Sequence, residues 1–214
     1  MANLAAAAEG EAGSAARGVN LPAPPTTGTM SLEEALAHRR SVREFAPGAL
    51  TLAEISRLAW AAQGTNSPEG RTAPSAGATY PLEVYLVVGN VEGVAAGIYR
   101  YVPGQRRLEV LADGDVRVPL GAAAVGQTWI SNAPMVVMIA AVYERTTARY
   151  GKRGERYVHL EAGHAAQNLL LEATALGLGA TPVGTFNDAE VSRLLHMQAG
   201  AEPLYIIPVG RVLR

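Results

Sequence analysis

The 214-residue sequence contains no cysteine. Disulfides, thiolate nucleophiles and cysteine-held metals are thereby excluded, and the absence fits a reducing cytoplasm, the expected compartment. The chain also lacks a surplus of positive charge: 18 Lys and Arg stand against 19 Asp and Glu, a formal charge of −1. A protein built to hold nucleic acid needs a basic excess, so that class is set aside. No apolar run approaches the ~20 residues of a membrane span, and no membrane partner is expected. The N-terminus, MANLAAAAEGEAGSAARG, has no basic n-region and places Glu9 and Glu11 where an export signal would be apolar. What remains is an ordinary globular composition, 49% hydrophobic, long enough to bury one substantial core.

Residues 1–30 are rich in Ala, Gly and Pro and run out through LPAPPTTGT, which predicts a mobile tail or extended arm. Ordered structure is expected from Ser31 in a single domain over 31–214, opening with a Ser31–Glu34 capping box and the helix LEEALAHRR. Thr51 caps a second helix, LAEISRLAWAAQG, stopped by Gly64. A long turn-rich loop (65–81) precedes strands at 82–89, 97–102 and 107–112, with Pro103-Gly104 turning between the last two. A helix over 116–129 leads to the apolar strand 134–142, read as central. The charged segment 144–157 reads as exposed. Then comes the dominant element, a helix over Leu160–Leu178 that is apolar round nearly its whole circumference, with one polar stripe of Glu161, His164, Asn168 and Glu172. Such a helix belongs in a core, at a subunit interface, or both. The turn TPVGTF, a short helix over 188–195 and a strand over 203–212 complete an α+β chain without regular β-α alternation.

Four stretches could carry chemistry. Arg39-Arg40-Ser41-Val42-Arg43 offers three guanidiniums and a hydroxyl, a donor set suited to phosphate; a solvated helix end is the plainer reading. Ala73-Pro74-Ser75-Ala76-Gly77-Ala78 has small side chains that let a flat ligand approach the backbone. Ser75 also sits in an A-x-S-x-G pattern, but a nucleophile elbow needs a strand before and a helix after, the reverse of the order here. GLGATP lacks the third glycine and the preceding strand of a dinucleotide fingerprint. Glu161-x-x-His164 is half of a di-iron motif with no second copy, so structural contacts are the expectation and no metal is expected. His159 and His196 have no evident partners.

Seven stretches in register resemble the FMN-dependent nitroreductase family, and within it the SagB/ThcOx-type oxidoreductases. They are RRSVREF (39–45), LAWAAQG (58–64), APSAGATYPLEVYLVV (73–88), GQTWISNAPMVV (126–137), RYGKRGERYVHLEAGHAAQNLLLEATALGLG (149–179), TPVGTF (181–186) and PLYIIPVGR (203–211). The resemblance implies a central mixed or antiparallel sheet flanked by helices, in an intertwined homodimer with FMN at the subunit interface.

Carried over by residue, it implies that Arg39, Arg40, Ser41, Arg43 and Arg211 hold the phosphate and ribityl chain. Pro74, Ser75, Ala76 and Gly77 of the partner chain would lie against the isoalloxazine, Gln127 would bond its polar edge, and Pro182, Val183, Gly184 and Thr185 would pass near N5. The implied activity is ping-pong hydride transfer from NAD(P)H through FMN to a nitroaromatic, quinone or similar small-molecule acceptor. The SagB/ThcOx branch also contains azoline dehydrogenases, which use a Lys-Tyr pair where this chain has Arg149-Tyr150. Tyr150 is thus the candidate catalytic side chain, but an arginine in place of the lysine cannot act as a base near neutral pH. A flavin-binding scaffold without turnover is a further alternative.

Overall fold

The computed structural model describes residues 17–25 and 27–213. Eight strands form one sheet in the order β1-β5-β4-β3-β6-β8-β2, with β7 added on β8, and every pairing is antiparallel. They are β1 (Gly18–Asn20), β2 (Phe45–Ala46), β3 (Leu82–Val88), β4 (Gly97–Val102), β5 (Arg107–Asp113), β6 (Met135–Val142), β7 (Leu178–Ala180) and β8 (Ala201–Val212). The helices are α1 (Leu32–His38), α2 (Leu52–Gln63), α3 (Arg117–Ala123), α4 (Thr128–Asn132), α5 (Glu144–Tyr150), α6 (Arg153–Ala175) and α7 (Asp188–Leu194).

Period-2 alternation in the inner strands feeds two separate cores. Val84, Leu86, Val88, Val137, Ile139 and Val209 face α2 and α6. Tyr85, Val87, Val136, Met138 and Ile206 face α3, α4 and α7. Because both faces are covered, β6 is an unbroken apolar run, MVVMIAAV, instead of alternating with polar residues. The α+β architecture and the interior place of that strand match the sequence reading.

Local chemistry fixes the helix starts. Ser31 and Thr51 each close a capping box, with Glu34 and Glu54 respectively. Each satisfies two otherwise unpaired donors.

Several elements differ from expectation. Regular structure begins before Ser31: Gly18–Asn20 pairs with β5, Leu21 is buried, and Ser56 Oγ donates to the Pro22 carbonyl at 2.7 Å. The rest of the expected N-terminal tail, 1–16, lies outside the described residues. The helix expected over 116–129 is broken in two, because Val125 and Gly126 both take left-handed backbone (φ 60° and 73°) and reverse the chain. The charged segment 144–157 is helical, forming α5 and the first turn of α6. The central helix therefore starts at Arg153, seven residues early. Its opening turns bury Gly154 and Val158 while the charges point outward. It stops at Ala175, with Gly177 at φ 68°, and Leu178–Ala180 becomes a strand on β8.

Candidate functional site

Backbone pairing brings two of the singled-out stretches together just past the C-terminal end of α6. Ser41 forms a bridge with Ala180, and the Val42 N–H donates to the Ala180 carbonyl at 3.0 Å. Gly179 is required there, since a Cβ would lie 2.6 Å from Val42. The arginine stretch thus lies directly beside the turn that begins at Thr181. Gln127, from the break between α3 and α4, reaches the same turn, its Nε2 donating to the carbonyls of Ala124 (2.8 Å) and Thr185 (3.2 Å).

The donors gathered here are largely unused. Among the described residues, the Arg39 side chain has no hydrogen bond or ion pair, the Arg40 guanidinium bonds only the Ala37 and Arg39 carbonyls, and Arg43 stacks over Trp129 at 5.8 Å. None of the three is paired with a carboxylate among the described residues. Pro182 is half-buried, and Val183 anchors the turn by exchanging two bonds with Ile206. The N–H groups of Gly184 and Thr185 have no backbone partner and both residues are exposed. Nothing stands within 4 Å of a Cβ built on Gly184. Cationic side chains and unpaired backbone amides are donors suited to an anion.

Arg211 does not join this group. Its guanidinium forks onto Glu54 (2.5 and 2.9 Å) and the Ala49 carbonyl (2.9 Å). Burial pushes the Glu54 carboxyl up, but the Arg211 fork and the Thr51 cap together outweigh it and hold the group below the ordinary glutamate range. In the sheet, Arg211 pairs through its backbone with Ala46 of β2, just past the arginine stretch, and with Leu178 of β7.

A second cluster surrounds the first half of α6. Pro74, Ser75 and Ala76 line a cavity of about 290 Å³ with Tyr157, Leu160, Glu161 and His164. Gly77 takes φ 59°, its carbonyl accepts from Arg149 Nη1 at 3.0 Å, and a Cβ there would collide with the Tyr150 hydroxyl. Tyr150 packs edge-on against Tyr157 at 5.1 Å. Ser75 Oγ accepts from the Tyr80 N–H at 3.0 Å, and no histidine bonds it.

Glu161 is 3% exposed and its Oε1 has no hydrogen-bond partner. Burial pushes this carboxyl up to about 7, with Ser75, Arg71 and Gln63 offsetting part of the penalty. The sequence showed Glu161 only as one member of a polar stripe; what singles it out is burial. Its stripe neighbours have separate fates. Glu172 pairs with Arg57, Asn168 Nδ2 donates to the Thr72 carbonyl at 3.2 Å, and His164 faces outward. His159, read as partnerless, bonds the Tyr143 hydroxyl at 2.6 Å.

Among the described residues, no three His, Asp or Glu side chains converge as a metal site, and no helix is long and apolar enough to cross a membrane. No hydrogen bond or ion pair joins the Pro74–Gly77 loop to the arginine stretch.

A family model for the nitroreductase family matches residues 36–211. A nitroreductase-family protein of Methanocaldococcus jannaschii, MJ1384, is 48% identical over 188 residues, covering 87% of this chain and 94% of that one. The crystal structure of a Ralstonia eutropha protein of the same description superposes with a TM-score of 0.81 at 32% identity, covering 94% and 92% of the two chains. The Escherichia coli microcin B17-processing protein McbC is 28% identical over 148 residues, which span 66% of this chain and about half (54%) of McbC. The chain belongs to the nitroreductase family of oxidoreductases, as the order of its motifs implied.

Proposed function

We propose that the protein is an FMN-dependent NAD(P)H oxidoreductase that works as a homodimer. The observation behind this reading is the cluster of uncompensated arginines beside the free N–H groups of Gly184 and Thr185. In this role Arg39, Arg40, Ser41 and Arg43 hold the phosphate and ribityl chain, Gln127 bonds the ring's polar edge, and Pro182, Val183, Gly184 and Thr185 border N5. Bound FMN supplies two-electron chemistry, passing a hydride from nicotinamide to a nitroaromatic, quinone or similar acceptor in a ping-pong sequence. The protein's own part is to neutralise the phosphate, orient the ring with backbone amides and keep water from the reacting face. Arg211 enters this reading by holding Glu54, and through it the start of α2.

A second copy is part of the proposal. Glu161, which lines the Pro74–Gly77 cavity, and Ala175, near the arginine end, are fourteen residues apart on one helix, about 21 Å. One chain cannot close both clusters on one ring. A twin docked along α6, where Leu160 is 53% exposed near its start and Leu32 (61%) and Leu36 (54%) are exposed on α1, would bring its Pro74, Ser75, Ala76 and Gly77 to the other chain's arginines.

The azoline dehydrogenase alternative is supported by the likeness to McbC and by the Tyr150 hydroxyl against Gly77. Against it, Arg149 occupies the lysine position and is bound to the Gly77 carbonyl. Anaerobic titration of the FMN-reconstituted protein tests the main reading: NADH or NADPH should bleach the flavin absorbance, and an acceptor should restore it. A protein that takes up no FMN would contradict it.

A further inference from the structure

The cavity beside the Pro74–Ala76 loop has apolar walls and one concealed polar group. Pro74, Ala76, Leu160 and the Tyr157 ring enclose it, and Glu161 is the buried side chain that lines it. A carboxylate there would have one oxygen without any hydrogen bond. Burial of this kind favours the neutral form of the group.

Behind it, Gln63 is 1% exposed with Nε2 unpartnered, and its Oε1 accepts from Arg71 Nη1 at 2.9 Å. Burial outweighs the groups that favour the carboxylate form: the Ser75 hydroxyl (itself accepting from the Tyr80 N–H), the Arg71 charge and the Gln63 side chain. The other charged or titratable groups around the cavity are Arg71 from the loop after α2, Tyr157 and His164 on α6, and Arg149 and Tyr150 of α5 behind Gly77.

We propose that Glu161 is a catalytic acid that donates its proton to an oxygen of a quinone-type acceptor seated in this cavity. The proposal rests on the oxidoreductase reading above. A quinone that receives a hydride from the reduced flavin needs one more proton to leave as the hydroquinone. The Glu161 O–H bond breaks, an O–H bond forms on the product, and the carboxylate left behind regains its proton from water through the cavity mouth, where His164 is exposed. The balance is one quinone, one hydride and one proton giving one hydroquinone. A carboxyl protonated up to about 7 is loaded for this at physiological pH.

The test compares wild type, Glu161→Gln and Glu161→Asp. Infrared difference spectra of the flavin-free proteins between pH 5 and pH 9 should show the band of a buried protonated carboxyl in wild type and not in Glu161→Gln. Stopped-flow reoxidation of the reduced, FMN-loaded proteins by a soluble benzoquinone should slow as pH rises through about 7 in wild type. Glu161→Gln should be about 100-fold slower at pH 6, with a flat profile, and Glu161→Asp should recover part of the rate together with the pH dependence. Flavin uptake with the same pH profile in wild type and Glu161→Gln would overturn this role alone. Failure of the wild type to take up flavin would overturn the oxidoreductase reading and this role with it.

Discussion

The two clusters flanking α6 are opposites. At its C-terminal end three arginines, Arg40 and Arg43 exposed and Arg39 half-buried, and two exposed backbone N–H groups have no carboxylate paired with them among the described residues. Along its N-terminal half a carboxyl is enclosed by apolar walls with no cation bonded to it. The first arrangement is stable because exposed arginines are solvated, the second because a buried acid stays neutral. Each is incomplete in a different way, one lacking charge and the other lacking a hydrogen-bonding guest. A cofactor with an anionic tail and a reactive ring answers both, provided that two chains share it.

The contrast can be tested by substitution, and the largest effect belongs to Glu161. Its carboxyl is held up to about 7 from an ordinary 4.5, so the folded state binds the proton more tightly than the unfolded one. The resulting stability is complete below about pH 4.5 and is lost as pH rises through about 7, a change of about 3 kcal/mol. Chemical denaturation of wild type and Glu161→Gln across this window should show that slope in their difference. A pH-independent difference would place the carboxyl in an ordinary solvated state.

Arg39→Ala should weaken FMN retention by about 1.5–3 kcal/mol, or roughly 10- to 150-fold in Kd, with little change in melting temperature, since the guanidinium makes no hydrogen bond or ion pair with the described residues. Arg211→Ala should do the reverse. Removing the fork on Glu54 in a partly exposed pair should lower stability by about 1 kcal/mol and affect FMN retention less than Arg39→Ala does. Equal FMN loss in both variants would return Arg211 to the phosphate site. The smallest effect is expected for Thr51→Ala, about 1 kcal/mol of stability from the lost cap, seen as a lower melting temperature with flavin binding unaltered.

Much of this was legible in the residues. The capping boxes at Ser31 and Thr51 are spelled out by Glu three positions on, and MVVMIAAV is too apolar to be anything but an interior strand. The short strands Phe45–Ala46 and Leu178–Ala180 were not legible, because two or three residues carry no periodicity and form only where β8 provides an edge. The break at Val125-Gly126 was missed because a left-handed valine has no sequence signature. At the site, the motif order indicated which stretches converge, and the Ser41–Ala180 bridge joins two of them. The ion pair of Arg211 was not legible, because its partner, Glu54, lies 157 positions away and already has a local role as a cap residue. Glu161 looked unremarkable beside His164, since nothing in E-x-x-H says which of the two will be buried.

The most direct test of the shared seat is complementation. Arg39→Ala combined with Arg43→Ala should empty the seat from the cationic side, and Gly77→Val should do so from the loop side by forcing a β-branched residue into left-handed backbone against Tyr150. Each variant alone should lose FMN. Co-expressed, they should pair at random and rebuild one intact seat in every mixed dimer, restoring flavin to roughly a quarter of the sites. A mixture as empty as its parents, or a monomer that holds FMN stoichiometrically, would contradict a seat built from two chains.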